Sequence, residues 1–175
     1  MKKLVLLLVS VVLTLFSACS VQENMNADIF FDRLSKNCEL LDFENAEKFI
    51  KDNRYYSFIK DLNETEYAFE ITLNEVGDAE KIAVSCEIEK VPQSLMTCIE
   101  SVIKTYSPDD NAKEVLSVFW VKGKVKLGNL YHETQWRKYS CYVTESDFFF
   151  SVTNKKLVNE SGSFLSLKPN DRVDF

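Results

Sequence analysis

Two stretches in the middle of the chain alternate apolar and polar residues, and this pattern limits the fold more than any other feature. Tyr67, Phe69, Ile71 and Leu73 alternate with Ala68, Glu70, Thr72 and Asn74. After a Gly77-Asp78 turn, Ile82, Val84, Cys86 and Ile88 alternate with Lys81, Ser85, Glu87 and Glu89. Successive side chains of a strand point to opposite faces, so each stretch predicts a strand with one face in the core and the other in water. A slip of one residue would expose a whole apolar row, so the register is strongly specified.

A second hairpin follows the same logic. Tyr139, Cys141 and Val143 alternate with Lys138, Ser140, Tyr142 and Thr144; then Phe148, Phe150 and Val152 alternate with Phe149, Ser151 and Thr153, with a turn at 145–147. Helical spacing occurs elsewhere. Ile29, Phe30 and Leu34 predict a helix over 28–37, and Ala46, Phe49 and Ile50 a second, from 42 or 44 to 52. Leu95, Cys98, Ile99, Val102, Ile103 and Tyr106 form an apolar stripe starting near Pro92. Ser107-Pro108-Asp109-Asp110 supplies a cap, a first-turn proline and two acidic residues for a further helix carrying Ala112, Val115, Leu116 and Phe119. The apolar run from Tyr55 to Ile59 is left unassigned, and Phe164, Leu165 and Leu167 in the polar tail can add an edge strand. The expected fold is α+β in the order α-α-β-β-α-α-β-β: an antiparallel sheet of about four to five strands in two hairpins, with helices packed on one face.

The start of the chain has a different character. Lys2 and Lys3 precede an apolar run over 4–16, which ends in Phe16-Ser17-Ala18-Cys19. The run is shorter than the roughly 20 residues a spanning helix needs. These residues resemble the signal peptide and lipobox of bacterial lipoproteins. That resemblance implies a signal peptide over 1–18 and lipidation of Cys19; the polar stretch that follows reads as a flexible tether over 19–26, and the remaining length suits a single domain over 27–175. The protein would then sit on the extracytoplasmic side of the bacterial cell envelope. A diacylglyceryl group carries two chains, enough for stable anchoring to a lipid bilayer where one chain gives only marginal binding. Ser17 and Ala18 are also small enough for ordinary signal cleavage, which would release a secreted protein.

Without Lys2 and Lys3 the chain keeps 19 of its 21 basic residues against 27 acidic ones, a formal charge of about −8. An acidic domain gains nothing from the counterion release that drives nucleic-acid binding, so nucleic acid is not expected as a partner. Cys38, Cys86, Cys98 and Cys141 are an even set for an exported protein, compatible with disulfides in any of three pairings or with buried thiols. With no Cys-x-x-Cys pair and His132 as the sole histidine, neither zinc nor any other cofactor is expected.

Catalytic patterns are sparse. His132-Glu133 lacks the second histidine of a zinc-protease helix, Asp109-Asp110 is explained by helix capping, and Ser161-Gly162-Ser163 lacks the flanks of a nucleophile elbow. The last third is instead rich in aromatic residues, and strand alternation puts Tyr142 and Phe149 on the face opposite the core, with Trp136 or Tyr131 beside them. An exposed patch of Trp136, Tyr142 and Phe149 would suit a protein or glycan partner. The leading expectation is a membrane-tethered, non-enzymatic binding or assembly module. The alternatives are an envelope hydrolase built around His132 and a small-ligand carrier with a cleft between helices and sheet.

Overall fold

The computed structural model describes residues 25–88 and 93–156. The signal sequence with Cys19, and Phe164, Leu165 and Leu167 of the tail, lie outside the described residues. The chain runs α1 (Ala27–Asn37), β1 (Glu47–Lys51), β2 (Arg54–Lys60), β3 (Glu66–Leu73), β4 (Ala79–Glu87), α2 (Gln93–Tyr106), α3 (Ala112–Phe119), β5 (Trp120–Val121), β6 (Lys124–Val125), β7 (Gly128–Glu133), β8 (Arg137–Val143) and β9 (Asp147–Asn154). Seven strands form one antiparallel sheet in the order β1-β2-β3-β4-β9-β8-β7, and β5 and β6 form a separate small hairpin. The molecule is therefore mostly β. The expected α-α-β-β-α-α-β-β order and the sheet of four to five strands are both wrong.

The largest departure is at residues 42–52, expected to be helical. Asp42 instead closes a turn, its carboxylate accepting from the backbone N–H of Glu44 and Asn45 and from the Asn45 amide. Asp52 and Asn53 both adopt left-handed backbone, φ 51° and 59°, and make the two-residue link between β1 and β2. Asp and Asn tolerate that conformation better than other non-glycine residues, and it matches the twist of a hairpin. Phe49 and Ile50, assigned to one helical side, therefore point to opposite faces of a strand. The unassigned run at Tyr55–Ile59 falls in β2, which alternates buried Tyr55, Ser57 and Ile59 with half-buried neighbours.

The helix expected from Ser107 starts later. Asn111 is its cap, accepting from the N–H of Lys113 and Glu114, while Ser107 and Asp110 close a turn through a backbone hydrogen bond of 3.0 Å.

One face of the sheet carries the core. A row runs from Ser57 through Phe69, Val84, Phe150 and Cys141 to Leu130, crossing six strands in register. α1 packs Phe31 edge-on against Phe69, 5.7 Å between centroids, and α3 packs Phe119 edge-on against Phe150 at 5.9 Å. Between them lies α2, whose Tyr106 hydroxyl donates to the Ala79 carbonyl at 2.6 Å. Phe30 meets Tyr106 edge-on at 6.4 Å and so joins α1 to α2.

Because Phe150 is fully buried in this row, Phe150→Ala should cost about 3–5 kcal/mol by lost transfer energy and cavity formation. Tyr142→Ala, on the other face of the sheet, should cost about 1 kcal/mol or less. Urea unfolding midpoints of the two variants measure the contrast.

Candidate functional site

The face of the sheet turned away from the helices is uncovered among the described residues, and its side chains follow directly from the register. One row across it reads Phe49, Tyr56, Glu70, Ala83, Ser151, Ser140, Tyr131; the next reads Glu47, Phe58, Ala68, Ser85, Phe149, Tyr142, Asn129. Large aromatic residues stand at both sides, and between them lie small residues and Glu70. Phe49 stacks on Tyr56 and Phe58, centroids 4.9 and 6.0 Å apart, forming one ridge. Tyr142 and Phe149 are direct cross-strand partners and, with Tyr131 on the neighbouring row, form the other. The floor is lined by half-buried Ala68, Ser85 and Ser140 and by Ala83 and Ser151, which are buried, with the Ser140 and Ser151 hydroxyls hydrogen-bonded at 2.8 Å. Phe58 and Phe149 stand three strand intervals apart, about 14 Å, a width that admits a helix or an extended segment.

The same face is polarised by charge. A row at one end contains Lys51, Arg54, Lys81 and Lys138 and ends on Glu133, which pairs with Lys138 at 3.8 Å; at the other end Glu87 and Asp147 are cross-strand partners, and Glu66 stands opposite Lys60. Lys81 and Glu87 are six residues apart on β4, about 20 Å along the strand. Arg54 pairs with Glu70 at 3.1 Å, and the Lys81 ammonium lies 5.6 Å from the centre of the Phe149 ring. Burial lowers the pKa of Lys81, and the nearby Glu70 opposes that shift.

The three aromatic residues expected to form a patch are not all together. Tyr142 and Phe149 adjoin, 40 % exposed and half-buried respectively. Trp136 precedes β8, six residues before Tyr142 and about 20 Å away along the strand. It is 37 % exposed and stacks under the Lys156 ammonium, 3.9 Å from the ring centre. The missed half of the surface is Phe49, Tyr56 and Phe58. The Asp52-Asn53 turn signal would have exposed it by placing 47–60 in a hairpin.

His132 lies on β7, half-buried and facing Tyr139 with ring centroids 6.1 Å apart. Nearby, Asp110 accepts from the Tyr139 hydroxyl at 2.5 Å and from Thr134 at 3.1 Å. Buried Arg137 donates to the Ser107 hydroxyl and the Tyr106 carbonyl, with its guanidinium 5.0 Å from the Tyr106 ring centre. A cation on a carbonyl at the end of α2 complements the helix dipole. These contacts fasten the α2–α3 connection to the sheet. A second buried chain links Tyr67 to Ser94 at 2.9 Å and Ser94 to Asp61 at 2.6 Å, while Asp61 also accepts from the N–H of Asn63 and Thr65. Both networks fix loops. Among the described residues, no group of three His, Cys, Asp or Glu could hold a metal ion.

Cys38, Cys86, Cys98 and Cys141 are all buried thiols without S–S bonds. Among the described residues, no helix is long and apolar enough to cross a membrane. No protein-family model, no curated protein and no solved structure matches the chain.

The buried phenols give a pH signature. Burial pushes Tyr67, Tyr106 and Tyr139 above the ordinary tyrosine range, and the Asp110 carboxylate adds to the effect on Tyr139. Unfolded tyrosines ionise near pH 10 while the folded ones keep their protons, so the raised values favour the fold below about pH 10 and that stability is lost above it. Melting temperatures taken from about pH 8 to about pH 11 should stay level and then fall. Tyr139→Phe should make the fall shallower.

Proposed function

We propose that the protein is a binding module tethered to the bacterial cell envelope by lipid on Cys19, and that it engages a protein partner through the open face of its sheet. The observation that carries this reading is the face itself: two aromatic ridges flanking a floor of small side chains, with opposite charges at its two ends. Aromatic side chains supply much of the energy at protein interfaces, and an apolar surface of this kind rimmed by polar residues is a usual mark of one. The charge polarity sets the partner's chemistry and orientation. Acidic groups would meet the end that bears Lys51 and Lys81, and basic groups the end that bears Glu87 and Asp147, giving steering and register more than raw affinity. The signal-like start supplies the location, since a lipid on Cys19 would hold the domain at a bilayer surface.

Two measurements test the two halves of this reading. Cys19→Ser should move the protein from the membrane to the soluble fraction and abolish incorporation of labelled fatty acid; retention in the membrane would refute the anchor. A photo-crosslinking amino acid placed at Phe49 or Tyr142 in the tethered protein should give one and the same adduct in cells, weakened by Lys51→Glu. The same probe at Lys113, on the exposed side of α3, should give none. Equal labelling from all three positions would overturn the assignment of the face.

A further inference from the structure

The four cysteines do not have equivalent surroundings. Cys86 is on β4 and Cys141 on β8, and β9 runs between these strands, hydrogen-bonded to both. Two strand intervals separate them by about 10 Å, beyond the roughly 7 Å Cα separation that a disulfide tolerates. Burial pushes both thiols up to about 12, which leaves them inert as nucleophiles near neutral pH.

Cys38 and Cys98 are placed differently. Cys38 caps the C-terminus of α1, its N–H donating to the Leu34 carbonyl at 2.9 Å. The junction is clamped to α2 by two hydrogen bonds: Ser101 donates to the Asn37 carbonyl at 3.0 Å, and the Asn37 amide donates to Thr105 at 3.1 Å. Cys98 lies one helical turn before Ser101 on α2, and its thiol and that of Cys38 share a hydrogen bond. That bond brings Cys38 down to about 7 and, together with burial, drives Cys98 upward. The thiolate is the attacking form in disulfide exchange, so either thiol can open the exchange once deprotonated and the other can resolve it.

We propose that Cys38 and Cys98 are a redox pair that closes a disulfide between the end of α1 and the middle of α2. The oxidant is a small-molecule disulfide or the disulfide of an exchange protein. The thiolate of one of the pair attacks one of its sulfurs, breaks that S–S bond and displaces the first thiolate. The other then loses its proton and attacks the protein sulfur of that mixed disulfide, displacing the second thiolate as the Cys38–Cys98 bond forms. Two protein thiols are oxidised, one disulfide is reduced to two thiols, and no other reagent is needed. Cys38 is 2 % exposed, so exchange takes place before α1 seats or when its last turn frays. The bond would close a long loop containing β1 to β4, the kind of link that most restricts an unfolded chain. The inference rests on the envelope reading only for its oxidising surroundings.

The full chain carrying Cys19→Ser, equilibrated in buffers of oxidised and reduced glutathione and then alkylated in denaturant, tests the pair directly. On the oxidised side, two of the four thiols should escape alkylation, the mass before alkylation should fall by two hydrogen atoms, and digestion should give one cross-linked peptide joining Cys38 to Cys98. Reduction should lower the melting temperature of this protein but not of the Cys98→Ala variant. Alkylation of all four thiols under oxidising conditions, or a bond that includes Cys86 or Cys141, would refute the proposal. Because the experiment is done in solution, its failure would leave the membrane anchor and the partner face untouched, and failure of the fractionation test would leave this result standing.

Discussion

The one-sided burial of a single antiparallel sheet is the constraint on which the rest of this molecule depends. Each of the six strands from β2 to β4 and β7 to β9 contributes alternate side chains to the same inner row. The register that aligns that row also decides what appears on the other face. The three helices can satisfy only the inner side, where Phe31 and Phe119 meet the sheet. The outer surface is therefore not an independent feature. Its ridges, its floor of small residues and its opposed charges follow from the same hydrogen-bond ladder that builds the core.

Where the sequence speaks in one period, it is legible. The alternating residues of β3, β4, β8 and β9 predict strands, and the apolar stripes of α1 and α2 predict helices, because each such pattern suits one geometry only. It misleads at 42–52, where Ala46, Phe49 and Ile50 fit a helical stripe but the chain turns at Asp52 and Asn53. A strand so short and exposed has no buried row to declare its period; the pairing with β2 creates it. The same missing hairpin hides half of the candidate surface. Trp136 fails for a related reason: nearness in sequence to Tyr142 is not nearness on a strand, where six residues span about 20 Å.

The Asp110 and Asp61 networks inside the molecule are better understood as fasteners than as chemistry. Asp110, read from the sequence as a helix-capping residue, holds Tyr139 and Thr134. Asp61 closes the turn between β2 and β3 and reaches Ser94 on α2. Burying a charged or hydroxyl group is tolerable only when its hydrogen bonds are met, and these networks meet them while fixing how the loops attach to the sheet. No sequence pattern announces such partners, since they lie far apart along the chain.

The strand order has a kinetic consequence. β1 to β4 form one meander and β7 to β9 another, each from neighbours in sequence, and both can form early from local contacts. Among the described residues, the only ladder between them is β4 with β9, strands separated by both helices of the central segment and by the small hairpin. Closing that distant contact carries the loop-entropy cost that slows folding of non-local sheets. Until it closes, each meander has an unpaired edge. The interval between synthesis of β4 and arrival of β9 is thus the period in which this chain is most open to pairing with another strand.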